Sequence, residues 1–508
     1  MGLDIGSSEC KSAIFTLGGD LVSIQTCEYS MSQPQPGWCE LNPKEVWIKL
    51  IETMKKSVHI SNVKSEDIVG ISISSQGEAI IPVGKNGEWL YPAIHAFDNR
   101  TIPQCEWWGR NLGRLEVFKI TGQPLHPMYS INKIMWIRDN NPAVFRRTRK
   151  FLCFEDYILF KLTGKFATDY SIASRTMAFN VVKKHWSSEM LSAANLSEEI
   201  LPDAFPSGKE VGEINSVSAK ETGLKEGTIV STGGHDQACG ALGVGVVQSG
   251  PTMDATGTVE CLAVASEKPH LDKRTLSSNY PCYCHVKDDM YIMLAWNTTA
   301  GSLLRWMRDQ FCEKEKDEAK KAAKSAYDLM TERAKSSPSG SFGLYVLPYF
   351  MGSGTPTFNP NARGVIMGLT ISHTKADVIR AVLEGITYDL RQNIELLESY
   401  QLKINALRAI GGGARSEFWL KLKADITGKK VELPNTTESA VLGAAILAGA
   451  GAKIFSNVEA ATEKIYKEKK VYYPNEKNQS IYESRYQVYK EIYPTFSTIF
   501  KKFRNSNF

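Results

Sequence analysis

Two nine-residue stretches half a chain apart begin alike. Laid without gaps, LDIGSSECK (3–11) and DATGTVECL (254–262) share Gly6/Gly257, a hydroxyl at Ser7/Thr258, Glu9/Glu260 and Cys10/Cys261. Each reads as strand, Gly–Ser/Thr turn, strand, and each heads its half of the chain. A chain that starts twice in this way points to a duplicated α/β fold, and 508 residues are too many for one hydrophobic core. The expected division is 1–247 and 248–508, with the boundary in VVQSG (246–250). Such turns offer backbone N–H groups and hydroxyls to an anion, so a facing pair implies a nucleotide held in a cleft. A pair of ordinary hairpin turns is the alternative. The copies differ where a metal ion would matter: Asp4 in the first corresponds to Ala255 in the second.

Strands and helices alternate after each start. Asn42-Pro43 opens a helix as cap and first-turn proline, and further helices are expected at 132–140, 155–163 and 237–244. Hairpins first and mixed elements after them predict a sheet that is not purely parallel. Only Met1-Gly2-Leu3 precede Asp4, so the first strand is shorter than the usual 5–6 residues or so. A third loop, LRAIGGGARSEFW (407–419), runs from an apolar strand through three glycines into a helix. That arrangement lets a ligand approach backbone at a helix's positive end.

Several classes are excluded on composition. Sixty basic and 55 acidic residues give a net charge of +5, too balanced for a nucleic-acid partner. The charge-dense stretch 312–327 mixes signs at helical spacing and reads as a solvated helix face. Ten scattered cysteines, the closest pair a CxC, form no zinc or disulfide framework and suit a reducing, cytoplasmic setting. The start has no signal-peptide core, and AVLGAAILAGAGA (440–452) is too short and too rich in glycine and alanine to span a membrane.

One segment raises a chemical question. GGHDQACGALGVG (233–245) surrounds a single acid, Asp236, with residues too small to shield it. Small neighbours would let the carbon chain of a reactant approach, and a helix starting just after would favour the ionised form. Asp236 as a simple helix N-cap is the bland alternative, and the two are compatible.

The longest motifs carry a resemblance. MYSINKIMWIRDN (128–140) with Lys133 and Trp136, and GVIMGLTISHTKADVIRAVLE (364–384) with Gly364, Gly368, Asp377 and Glu384, resemble the two signatures of the FGGY family of carbohydrate kinases. DIGSSECK, ATGT, GGGARSEFW and LPYFMGSGTPTFNPNARG (347–364) resemble its loops, so the likeness covers the whole chain. It implies two actin-like (ribonuclease-H-like) α/β domains closing on ATP and a small sugar or polyol. On this reading Asp236 is the general base, and Asp4 positions Mg²⁺ through water. Ser7, Ser8 and Lys11, beside Gly6, hold the β- and γ-phosphates, faced by Gly257 and Thr258. Gly301 lines the nucleotide, and Gly412, Gly413 and Ser416 border the adenosine. Lys11 as a solvated strand residue and Gly301 as a packing contact are the bland alternatives.

Ser75, Gln76, Gly77 and Glu78, together with Asp98 and Gln237, fall where the family contacts its sugar, Asp98 pairing with Arg100. No extra Arg or Lys stands in SSQGEA or around Asp236, which argues for a neutral acceptor. PGWCELNPKEVW (36–47) and GGGARSEFWLKLKADITG (411–428) lean toward the xylulose-kinase branch. The expected substrate is a ketopentose such as xylulose, with glycerol, erythritol or another polyol or sugar acid as alternatives. An actin- or chaperone-like ATPase and an inactive sugar sensor are alternatives of another class. No macromolecular partner is expected beyond a homodimer, which stays open.

Overall fold

The computed structural model describes residues 1–503. Its first sheet is built from β1 (Gly2–Ile5), β2 (Glu9–Phe15), β3 (Leu21–Glu28), β4 (Gly70–Ser75), β5 (Glu210–Glu213), β6 (Ile229–Ser231) and β7 (Gly234–His235). The order is β5-β6-β4-β1-β2-β3, with β7 continuing along the same edge of β4 as β6. The first three strands meander antiparallel, and β1, β4, β6 and β7 run parallel. The central strand β1 is four residues long, as its short lead-in suggests.

The second sheet repeats the plan. It comprises β8 (Gly250–Thr256), β9 (Glu260–Ser266), β10 (Cys282–Cys284), β11 (Tyr291–Asn297), β12 (Ile404–Ile410), β13 (Lys430–Pro434) and β14 (Glu468–Tyr472). Its order is β10-β11-β9-β8-β12-β13-β14, with β8 antiparallel to β9 and parallel to β12. Strand for strand, β8, β9, β11, β12, β13 and β14 match β1, β2, β3, β4, β6 and β5. Only β10 is additional. The fold is thus two ribonuclease-H-like α/β halves, mixed rather than purely parallel.

The registers refine the repeat seen in the sequence. Ile5 pairs with Cys10 across the first turn, whereas Thr256 pairs with Glu260 across the second, so the first turn is one residue longer. The Gly6 N–H accordingly reaches the Glu9 carbonyl, and the Gly257 N–H reaches that of Val259. Gly6/Gly257 and Ser7/Thr258 are true equivalents. The Glu9/Glu260 and Cys10/Cys261 identities fall out of register and are coincidental.

The helices form where their caps place them. Asn42 caps α1 (Pro43–Ser61), its side chain accepting from Lys44 and Glu45 N–H. Next come α2 (Ser130–Asn140), α3 (Phe154–Thr163), α4 (Tyr170–Ser174) and α5 (Asp236–Gly243). The second half adds α6 (Gly301–Phe311), α7 (Glu313–Lys321), α8 (Lys375–Ser399), α9 (Glu417–Thr427) and α10 (Ser439–Gly451). Helix α7 is not simply a solvated face. Its Glu315 is fully buried between Arg333 and Lys375, because two cations from neighbouring segments close over it. The apolar run at 440–452 becomes α10, and among the described residues no helix is long and apolar enough to cross a membrane. All ten cysteines are free thiols.

The halves join through α5 and α10, which cross at glycines. A Cβ on Gly243 would lie 2.0 Å from the Ser439 carbonyl oxygen, and one on Gly443 would lie 1.9 Å from that of Cys239. Only hydrogen fits there.

Candidate active site

The first hairpin turn is tied to its neighbours by polar contacts. Asp4 and Ser74 lie side by side on β1 and β4, and the Ser74 hydroxyl donates to Asp4 Oδ1 at 2.7 Å. Burial raises the Asp4 pKa, opposed by that hydrogen bond and by Lys11. Ser7 Oγ lies 3.1 Å from His95 Nε2 and 3.5 Å from Gln76 Oε1, while Gln76 Nε2 donates to the Gly6 carbonyl. Ser8 is exposed. The Lys11 ammonium bridges Glu9 and Glu438, at 3.3 and 3.2 Å. Glu438 stands immediately before α10 of the other half, so Lys11 is an ion-paired residue at the junction rather than a solvated one. Neither His95 nor Glu438 carries a local sequence signal.

Asp236 opens α5 as its first residue, not as its N-cap, which is His235. Its Oδ1 accepts the Gln237 N–H at 2.6 Å and lies 3.4 Å from His235 Nε2. About a third of the side chain (34%) stays open to solvent. Burial pushes its pKa up to about 7, helped by the charges of Asp4 and Glu78 and opposed by the Gln237 N–H and Arg175. The small residues around it serve a different purpose from the one expected. A Cβ at Gly233 would lie 1.8 Å from the Ile73 carbonyl, and one at Gly234 would lie 2.2 Å from Val286. Gly233 and Gly234 make room for other protein segments beside the carboxylate, while the carboxylate itself keeps its solvent-facing side.

The segment after β4 divides its roles. Ser75 is fully buried, its hydroxyl donating to the Gln76 carbonyl, and it presents nothing to a ligand. Gly77 lies beneath the His235 ring: a Cβ there would sit 2.9 Å from His235 Cδ2 and 3.2 Å from Arg175 Cβ. Glu78 takes a left-handed backbone, φ 64°, a conformation costly for a residue with a side chain. Its carbonyl accepts from Ser130 Oγ at 2.9 Å and Lys133 Nζ at 2.8 Å, both on α2. Its carboxylate pairs with Arg175, which also donates to Gln123. The signature lysine therefore holds the Glu78 backbone.

Asp98 is 1% exposed and engaged by Arg100 and the Cys39 N–H. Arg100 in turn stacks on Trp38, with the signature Trp136 behind it. Asp98 is thus a wall element, withdrawn from any ligand. Gln237 keeps a buried Oε1 without a hydrogen-bond partner among the described residues. A hollow of about 70 Å³ is lined by His126, Met128, Tyr129, Arg175, Trp296 and Phe358. Arg175 carries no local sequence signal. It stands far from SSQGEA and Asp236 in sequence, and only the fold brings its cation here.

A larger cavity of about 530 Å³ collects Gly257, Thr258, Gly301, Gly412, Gly413 and Ser416 in one lining. The Gly301 N–H donates to the Gly257 carbonyl, and a Cβ there would come within 2.4 Å of that oxygen. Gly413 packs as tightly on Thr256, at 2.7 Å. Ser416 caps α9 through the Trp419 N–H. Ser325 and Tyr327 also line this cavity, a second departure from a purely solvated reading of 312–327.

Two ribonuclease-H-like halves, a hydroxyl-bearing hairpin turn from each, and one carboxylate poised near neutrality make an actin-like phosphotransferase. Residues 1–243 match the N-terminal domain of the FGGY family of carbohydrate kinases, and residues 255–452 match its C-terminal domain. The chain belongs to that family and is a sugar kinase; its members take the phosphoryl group from ATP. Over 509 aligned residues it is 30% identical to a xylulose kinase of Bacillus subtilis, covering 100% of this chain and 99% of that one. The fold superposes on a gluconate kinase of Lactobacillus acidophilus with TM-score 0.90, at 27% identity and 99% coverage of both chains. A ligand-bound xylulose kinase of the same organism gives TM-score 0.89, also at 27% identity and 99% coverage of both.

Proposed function

We propose that the protein phosphorylates a terminal hydroxyl of a small neutral ketose, a pentulose such as xylulose. The observation that carries this reading is the Glu78–Arg175 pair. The one cation reaching the hollow is neutralised by a buried carboxylate and further engaged by Gln123. An anionic acceptor would find an Arg175 whose charge Glu78 already compensates, whereas a chain of neutral hydroxyls needs no free cation. The full-length likeness to a xylulose kinase supports the same choice.

In this mechanism the N-terminal domain, 1–247, carries sugar and base, and the C-terminal domain, 248–508, carries the nucleotide. The acceptor hydroxyl passes its proton to Asp236 Oδ2 as its oxygen attacks the γ-phosphorus. ADP leaves, and the proton returns to solvent. Lys11 exchanges Glu438 for the phosphates, joined by the Ser7 and Ser8 hydroxyls. The turn at Gly257–Thr258 faces them, while Gly412, Gly413 and Ser416 border the adenosine. Asp4 suits Mg²⁺: Ser74 engages one carboxylate oxygen, and among the described residues no group of three or more His, Cys, Asp or Glu forms a metal cage. Mg²⁺ keeps much of its water and needs few protein ligands. When bound, it neutralises phosphate charge. The test is an ADP-release screen over xylulose, ribulose, fuculose, glycerol, erythritol and gluconate. Highest kcat/KM on a ketopentose supports the reading. Highest kcat/KM on gluconate overturns the charge argument, and on glycerol or erythritol it overturns the ketose.

A further inference from the structure

The base is reached from the other half of the molecule. Strand β10, the one strand without a counterpart in the first sheet, docks against the first half: the Cys282 N–H donates to the Gly122 carbonyl and the Cys284 N–H to Ser174 Oγ. Between these anchors Tyr283 is fully buried, and its hydroxyl lies 3.2 Å from His235 Nδ1. The other ring nitrogen of His235, Nε2, lies 3.4 Å from Asp236 Oδ1. The ring cannot drift. Its backbone N–H is bonded to Ser171, Gly77 lies against Cδ2, and the Tyr283 ring meets it edge to face at 5.4 Å. Burial and the nearby Arg175 keep it neutral, so one nitrogen carries the proton and the other accepts.

We infer that Tyr283 is a positioning residue: its hydroxyl donates to His235 Nδ1 and fixes the tautomer in which Nε2–H points at Asp236 Oδ1. That oxygen accepts the Gln237 N–H, and the Nε2–H dipole faces it across 3.4 Å without a formed hydrogen bond. Oδ2 is left free for the acceptor's proton, with the carboxylate turned by the Gln237 bond and the facing dipole. The additional strand thus has a role: it carries the hydroxyl that orients the base.

The inference rests on Asp236 being the base, and the experiment separates the two. Tyr283→Phe removes only the hydroxyl and should lower kcat up to roughly tenfold, the upper range for one hydrogen bond between neutral groups, with KM for ATP unchanged. In protein labelled with ¹⁵N at histidine, His235 should report Nε2–H in the wild type and a mixture of tautomers in Tyr283→Phe. His235→Gln, whose amide can replace the Nε2–H donor, should keep more activity than His235→Phe, which cannot. A wild-type His235 protonated at Nδ1, or a Tyr283→Phe enzyme with unchanged kcat, overturns the inference. If Asp236→Asn turns over normally, the base assignment itself fails. If that variant is silent while Tyr283→Phe is normal, only the positioning role fails.

Discussion

With its carboxyl pushed up to about 7, Asp236 is half protonated at neutral pH in the ligand-free enzyme. A protonated base cannot accept the sugar's proton. With both substrates well below saturation, kcat/KM reports the free enzyme, and the ionised fraction rises from about one-eleventh at pH 6 to about ten-elevenths at pH 8. Activity should therefore climb about tenfold across that interval and level off above it. Glu78→Gln should move this limb to lower pH, because it removes a negative charge and leaves Arg175 uncompensated. Asp236→Asn should lose at least ~10²-fold and show no limb.

Stability supplies an independent check. A carboxyl raised from 3.8 to about 7 by folding contributes stability that is fully present below pH 3.8 and lost as pH rises through 7. Asp236→Asn should then match the wild type near pH 3, where both side chains are neutral in either state, and exceed it at pH 8 in urea unfolding. The full shift corresponds to a ceiling of roughly 4 kcal/mol, and solvent access to a third of the side chain reduces it to about 1–2 kcal/mol. A flat rate profile between pH 6 and 8, or a limb that survives in Asp236→Asn, would refute the assignment.

Lys133→Met should raise KM for the sugar at least tenfold while KM for ATP stays put, since it releases the strained Glu78 backbone; steady-state kinetics decide. Gly413→Ala should weaken ATP binding by calorimetry, because its Cβ falls 2.7 Å from Thr256 and forces the loop off the cavity wall; unchanged affinity would contradict that geometry. Gly443→Ala should lower the unfolding midpoint, the new methyl meeting the Cys239 carbonyl at 1.9 Å. Small-angle scattering should show compaction when sugar and a non-hydrolysable ATP analogue are both bound, and an unchanged radius of gyration would count against closure of the cleft.

Local features were legible in proportion to how local their causes are. Asn42 caps α1 through its own side chain, and the helix starts where the sequence places it. The six residues expected on the nucleotide side line one cavity, each sitting in a turn or at a helix start whose chemistry is written within a few positions. Arg175, His95, Glu438 and Tyr283 were not legible, since each joins the site across a long separation and no spacing announces it. The glycines around Asp236 show the converse. Their smallness was plain, but the reason lies in Ile73 and Val286, which only tertiary packing brings near.

The duplication also shows why one half carries the polar chemistry. On a strand, successive side chains point to opposite faces. Counting back from the shared glycine, Asp4 and Ala255 occupy the same position. The acids of the second hairpin, Asp254 and Glu260, point instead into the interior, where Lys423 donates to Asp254, Glu260 and Thr256 at 2.5, 2.7 and 2.6 Å. A buried cation shared in this way locks its turn as a support and leaves no free carboxylate there. In the first hairpin the pleat turns Asp4 the other way, and Lys11 opposite it pairs with Glu9 of its own hairpin and with Glu438 of the second half. The same topology therefore leaves a partly open carboxylate and ammonium at the turn of one copy and a closed, internally paired cluster at the other. A shift of one position along the strand separates them, and the extra residue in the first turn marks the same divergence.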